Sequence, residues 1–191
     1  KNCSPLIGMH LYEDIPTLLE MPQSFGVYPF TKKMEEVEEN IYRLFSYGLP
    51  KVLISTEAPG ANKKGEYHNA VGINMTELEA KMDGLFDAVK NLGIKTFAVG
   101  DLGNEIGMGA IGEHIRKYIP YAAEGECQCG CGGGLLARTA ADYLITATVS
   151  DWGVYALISA IAYLKKKISI MHDKNMEESV LCECARSGMV N

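Results

Sequence analysis

The chain has 191 residues, of which 47% are hydrophobic and 22% charged, and its formal net charge is −6. These are the proportions of a folded globular domain, and the acidic excess excludes a nucleic-acid surface, which needs a basic stripe. No apolar stretch reaches the ~20 residues of a membrane-crossing helix, and no basic segment with an apolar core opens the chain as a signal peptide would. A single α/β domain over residues 1–191 is therefore expected, cytoplasmic, with neither nucleic acid nor membrane as partner and with self-association left open. The chain opens at Lys1 without a methionine and closes directly behind a helix-like segment, as a piece cut from a longer polypeptide would.

In chain order, Pro5 to Leu11 predicts a short strand and Phe25 to Phe30 a weaker one. Met34, Val37, Ile41, Leu44 and Phe45 recur at helical spacing, which predicts a helix from Thr31 to Tyr47 with Thr31 as N-cap and Gly48 as its stop. Val52 to Thr56 is β-branched and apolar and predicts a buried strand; Pro59 to Ala70 predicts a loop. Thr76, with Glu79 three residues on, approximates a capping box and predicts a helix start. Its stripe is Leu78, Met82, Leu85, Phe86, Val89 and Leu92, and Gly93 ends it. A strand over Ile94 to Val99, a helix over Ala110 to Tyr118 and a strand over Tyr143 to Val149 follow. Trp152 to Lys166 is apolar nearly all round, so a buried helix is expected, and Met176 to Arg186 predicts an amphipathic one. The alternation implies an α/β fold with a mostly parallel sheet and helices on both faces. That is a Rossmann-like three-layer sandwich, one that could lack an N-terminal part.

Ligands of such sheets bind beyond the carboxyl ends of the strands. Three strand ends carry polar groups: Ser55, Thr56 and Glu57; Asp101, Asn104 and Glu105; Ser150 and Asp151. In a parallel sheet these gather on one edge. The middle set lies in the glycine-rich turn Gly100 to Gly109, which does not match the dinucleotide spacing G-x-G-x-x-G. Asp101 and Glu105 are the leading pair, since neighbouring carboxylates need a cation or a shared proton. The plainer alternative makes them helix-terminal caps. Ser150 or Asp151 could likewise be an N-cap. His68, in the loop Glu66-Tyr67-His68-Asn69, is expected to be an exposed loop histidine ahead of a base or ligand, and His10, His114 and His172 have no supporting context. No Gly-x-Ser-x-Gly motif is present. Cys127, Cys129 and Cys131 are separated by single residues, and only a turn at Gly130 would converge all three. The usual C-x-x-C zinc spacing is missing, so reduced thiols are expected ahead of a structural zinc at Cys127, Cys129 and Cys131. Cys182 and Cys184, two apart on a helix, do not share a face.

Five stretches together resemble the D-glutamate cyclase C-terminal-like family: Ile54 to Gly60, Gly65 to Asn69, Gly100 to Gly109, Ala141 to Ile145 and Val149 to Gly153. Two positions depart from the family's habit, which has glycine where this chain has Leu102 and asparagine where it has Asp151. Members also commonly carry a further α/β stretch ahead of the matching region. The resemblance implies conversion of D-glutamate to 5-oxo-D-proline with loss of water. On that chemistry Asp101, Glu57 and Asp151 would hold Mg²⁺ or Mn²⁺, and Glu105 and Asp101 would be catalytic, Glu105 moving the proton. Gly103, Asn104, Gly107, Gly109, Asn69 and Ser150 would bind substrate. A Mn/Mg-dependent phosphatase acting on a phosphoester, and a non-catalytic module binding a small acidic metabolite, are the alternatives.

Overall fold

In the computed structural model the described residues are 28–186. The strand expected over Pro5 to Leu11, and His10 with it, lie outside them, and of the weaker strand only Tyr28 to Phe30 are described, without strand structure. The described residues belong to two compact units, one of residues 30–156 and one holding residues 28–29 and 157–186.

The larger unit is built on a three-stranded sheet of β1 (Val52–Thr56), β2 (Lys95–Gly100) and β3 (Tyr143–Thr146), in that spatial order. All pairings are parallel, with Ser55 opposite Ala98 and Ala98 opposite Leu144. Helix α1 (Val37–Phe45) precedes β1, α2 (Met82–Asn91) joins β1 to β2, α3 (Gly112–Tyr118) lies between β2 and β3, and α4 (Ser150–Lys165) follows β3. Parallel strands with helical crossovers make this an α/β fold. The central strand is the buried one: Thr96, Ala98, Val99 and Gly100 are all covered. Its Ala98 face meets the turn at Gly107, and its Val99 face meets the start of α4 at Gly153. Asp142 fixes the end of the sheet opposite the site by accepting the Thr96 N–H at 2.9 Å and the Thr96 hydroxyl at 3.0 Å.

Strand β1 is not the buried strand expected. Val52 is 40% and Ile54 46% exposed, because β1 is the sheet's edge and only the Ser55 side is covered. Two helix starts also shift. Thr31 does not cap α1; its hydroxyl donates to Glu36 at 2.7 Å and accepts the Lys33 N–H, and a 3-10 turn over Met34–Glu36 intervenes. Gly48 does end the segment, at φ +119°, with its N–H on the Phe45 carbonyl. Thr76 is diverted too. Its hydroxyl donates to Glu66 at 2.6 Å and accepts the Tyr67 N–H at 2.9 Å, so α2 begins only at Met82. Strand β3 ends at Thr146, short of the expected Val149.

In the smaller unit, α4 runs on to Lys165, and Tyr163 and Leu164 are 84% and 77% exposed. Apolar residues all round a helix therefore do not mean burial here. The last helix, α5 (Lys174–Arg186), starts ahead of its predicted Met176 because Asp173 accepts the N–H groups of Asn175 and Met176. Among the described residues no helix is long and apolar enough to cross a membrane.

Candidate functional site: a carboxylate pocket at the sheet edge

The site grows from the carboxyl ends of β1 and β2. At the end of β1 the Glu57 N–H continues the ladder to the Val99 carbonyl at 3.2 Å, while the residue itself adopts φ +51°. A non-glycine residue there costs about 1–2 kcal/mol. Strain of that kind persists where the surroundings enforce it, and it gathers at functional positions. The enforcing contact is the Ser150 hydroxyl at the start of α4, which donates to the Glu57 carboxylate. Ser150 is fully buried, so it positions Glu57 rather than facing a ligand.

At the end of β2 the chain turns through Gly100 to Gly109 and folds Glu105 back beneath itself. The Glu105 carboxylate is buried and accepts the Leu102 N–H at 3.2 Å and the Gly103 N–H at 2.8 Å. The amides expected to meet a ligand are thus engaged within the chain. Gly103 binds Glu105, and Gly107 and Gly109 both donate to the Thr139 carbonyl, at 3.0 and 3.1 Å. What the turn needs from Gly107 is close approach: at φ +103°, a Cβ on it would sit 2.2 Å from the Ala98 Cβ. Leu102, at the tip, is exposed and does not block the turn.

Glu57, Asp101 and Glu105 each bring a carboxylate oxygen into one group, all within 4.8 Å of one another. Among the described residues the Asp101 carboxylate is in no hydrogen bond or ion pair. Asp151 lies outside this trio; it is exposed in the first turn of α4 and acts on Glu57 through its charge. Burial of its carboxyl raises the Glu57 pKa; the Ser150 hydrogen bond opposes this, and the charges of Glu105, Asp101 and Asp151 add to it. Burial likewise raises Glu105, against the backbone N–H bonds it accepts and helped by the Asp101 charge.

The trio opens into a cavity of about 310 Å³ whose wall also includes His68, Asn69 and Asn104. Glu79 adds a fourth acid, its pKa raised by burial. Asn104 donates its side-chain NH₂ to the His68 carbonyl at 3.0 Å, which fixes its orientation and leaves its Oδ1 buried without a partner. Asn69 is occupied in shaping its own loop, accepting the Val71 and Ile73 N–H groups at 3.1 and 3.0 Å. A hollow of about 350 Å³ along α5 is lined, among the described residues, by that helix and gathers no comparable chemistry from them.

Two groups escape sequence reasoning. His68, expected to be exposed, is fully buried, and its Nε2 lies 3.2 Å from the Cys129 sulfur. The three cysteines do converge, through the turn at Gly130. Asp83 is the other. Buried at the start of α2, it accepts the Ala61 N–H at 2.9 Å and the Thr139 hydroxyl, and so ties the loop after β1 to the segment that engages the glycine turn. Its signal was its spacing: it lies three residues before Phe86, on the apolar stripe, where an acid needs buried partners. His114 sits tilted against Tyr118 and is not in the trio, and in the smaller unit His172 pairs with Glu177.

The raised carboxyls fix a pH dependence. A carboxyl whose folded pKa is raised binds its proton more tightly in the folded state than in the unfolded chain. Its contribution is therefore full below the ordinary glutamate value of 4.5 and is lost as pH rises through the folded pKa. Chelator-treated protein is expected to lose stability from Glu57 and Glu105 as pH rises from 4.5. Urea denaturation at stepped pH measures the slope. Asp101→Asn, which removes a repelling charge, should make it shallower, and an unchanged slope would reject the coupling.

A parallel sheet whose strand ends present three converging carboxylates beside an open cavity makes this an α/β protein with an acidic pocket where ligands of such sheets bind. The chain belongs to the D-glutamate cyclase-like, C-terminal family, whose sequence signature matches residues 16–191. It is also 36% identical over 113 residues to the mitochondrial D-glutamate cyclase of Homo sapiens. That match takes in 59% of this chain but 17% of the human protein's length.

Proposed function

We propose that this pocket performs D-glutamate cyclase-like chemistry: the substrate amine attacks its own side-chain carboxyl carbon, a C–N bond forms, a C–O bond breaks and water leaves. The observation that carries the reading is the convergence of the Glu57, Asp101 and Glu105 carboxylates within 4.8 Å of one another on one cavity, in a chain of this family.

The donor set fits a hard divalent cation. Glu57 and Asp101 offer carboxylate oxygens of the kind Mg²⁺ and Mn²⁺ prefer, with Glu105 beside them and Asp151 adding charge nearby. Bound there, the cation would neutralise the substrate carboxylate under attack. Glu105, its pKa raised by burial and its carboxylate held by two backbone amides, relays in turn the two protons that the substrate ammonium loses to the departing carboxylate oxygen, which leaves as water. Asn104 ties the pocket wall to the His68 carbonyl, and Ser150 keeps Glu57 in its left-handed conformation. Cys127, Cys129 and Cys131 converge without a disulfide, which suits a reducing compartment, here assigned to the cytoplasm.

The test is incubation of the chain with D-glutamate and Mn²⁺, with 5-oxo-D-proline followed by chiral chromatography. Product is expected, and Glu105→Gln should lower its rate by roughly 10²–10⁴-fold. Mn²⁺-dependent hydrolysis of an aryl phosphate without cyclisation would replace this reading with the phosphatase. A melting shift with D-glutamate but no turnover would leave the binding module.

A further inference from the structure

We propose that His68, Cys127, Cys129 and Cys131 form a structural zinc site that clamps the loop after β1 to the cysteine loop. This is independent of the chemistry assigned to the carboxylate pocket. One nitrogen and three sulfurs all lie within 4.8 Å of one another. The closest separations are 3.4 Å from Cys127 to Cys131 and 3.7 Å from Cys127 to Cys129, with the His68 Nε2 3.2 Å from Cys129 and 3.6 Å from Cys131. A tetrahedral zinc with ordinary bond lengths sets its sulfurs about 3.8 Å apart and sulfur and nitrogen about 3.6 Å apart. The four atoms therefore already stand near the corners that one ion requires.

The backbone is shaped for this convergence. Gly130, Gly132 and Gly134 adopt φ of +75°, +79° and +70°, and they curl the segment so that sulfurs two residues apart face one point instead of alternating. The surroundings are those of bound thiolate. The Gly133 N–H and the side-chain NH₂ of the buried Asn62 each approach the Cys131 sulfur at 3.4 Å, and the same Asn62 group donates to the Gly134 carbonyl at 2.7 Å. The His68 Nδ1 is buried and without a hydrogen-bond partner, on the side of the ring away from the sulfur contacts. That leaves Nε2 as the ligand atom.

Rival uses of these groups fit less well. The cysteines are free, and a disulfide between any two would strand the third thiol and the buried imidazole. An iron–sulfur cluster would hold its protein ligands apart by its own width, whereas these converge on a single point. Three thiolates and an imidazole favour zinc over Mg²⁺ or Mn²⁺, and four protein ligands leave no open position, so the site is structural. Its consequence reaches the pocket, because the carbonyl of His68 is the acceptor that orients Asn104. Between the loops, Gln128 adds a backbone bond to the Gly72 carbonyl at 3.0 Å and a side-chain bond to the Val71 carbonyl at 2.7 Å.

Elemental analysis of the full chain, purified without chelator, tests the site with no variant needed. About one zinc per chain is expected, and Co²⁺ exchanged in its place should show thiolate charge-transfer and tetrahedral ligand-field bands. Cys129→Ser should reduce zinc content at least about tenfold, while His68→Cys, which offers a fourth thiolate, should retain it. Asp101→Asn should also retain it, and this keeps failure here distinct from failure of the pocket chemistry. Iron in place of zinc, a two-dalton mass loss mapped to a disulfide among Cys127, Cys129 and Cys131, or free titration of all six cysteines of the chain after zinc supplementation would each overturn the proposal.

Discussion

Asp101→Asn is expected to raise the melting temperature of the chelator-treated protein by about 2–4 °C while eliminating the stabilisation that added Mn²⁺ gives the parent. Three carboxylates whose oxygens lie within 4.8 Å of one another repel. Two unit charges at such a distance, at an effective dielectric near 20, interact by about 3 kcal/mol. Partial exposure and proton uptake by Glu57 and Glu105 reduce the realised cost to roughly 1 kcal/mol. Asp101 is the member to change, because Glu57 is held by Ser150 and Glu105 closes the glycine turn, whereas Asp101 is in no hydrogen bond among the described residues. Asparagine at position 101 thus removes charge without stranding a donor. Differential scanning fluorimetry with EDTA and with Mn²⁺ measures both effects. A lower melting temperature with EDTA would show that Asp101 supports the fold, and an undiminished Mn²⁺ shift would remove it from the metal set.

Gly107→Ala is expected to destabilise the protein by about 3–5 kcal/mol, combining overpacking with a left-handed backbone conformation. The added methyl would lie 2.2 Å from the Ala98 Cβ in the buried central strand, at φ +103°. Gly93→Ala separates the two causes. Gly93 also has positive φ, +73°, but a Cβ there meets nothing within 4 Å, so only the conformational cost of about 1 kcal/mol applies. Denaturant unfolding of both variants reads the difference, and equal losses would show that close packing is not Gly107's role. Glu105 lies two residues upstream, so a displaced turn should also reduce Mn²⁺ binding in Gly107→Ala but not in Gly93→Ala.

The strand ends were legible in the chain because a parallel strand followed by a helix leaves an unambiguous periodic signature. Val52–Thr56 and the run before Gly100 are apolar, each stops at polar residues, and parallel pairing brings those residues to one edge. This placed Glu57, Asp101 and Glu105 together without coordinates. Helix starts were less legible. Thr31 and Thr76 have the hydroxyl of a cap, but each is recruited by a glutamate, Glu36 and Glu66 respectively. A local signal cannot reveal such competition. Apolarity overstates burial at β1 and α4 because it records what a residue can do, while the packing of the elements decides which faces are covered.

The sequence by itself determined the α/β class, the family and the edge on which the acids gather, since all three rest on local pattern and chain order. Only the tertiary structure decided what each group does there. It turned the glycine amides inward, set Ser150 to hold Glu57, and tied Asn104 to the His68 carbonyl. It also brought His68 to three cysteines some sixty residues away. The physical reason is that hydrogen-bond partners and ligand convergence depend on contacts between segments distant in the chain, and spacing within one segment carries no record of them.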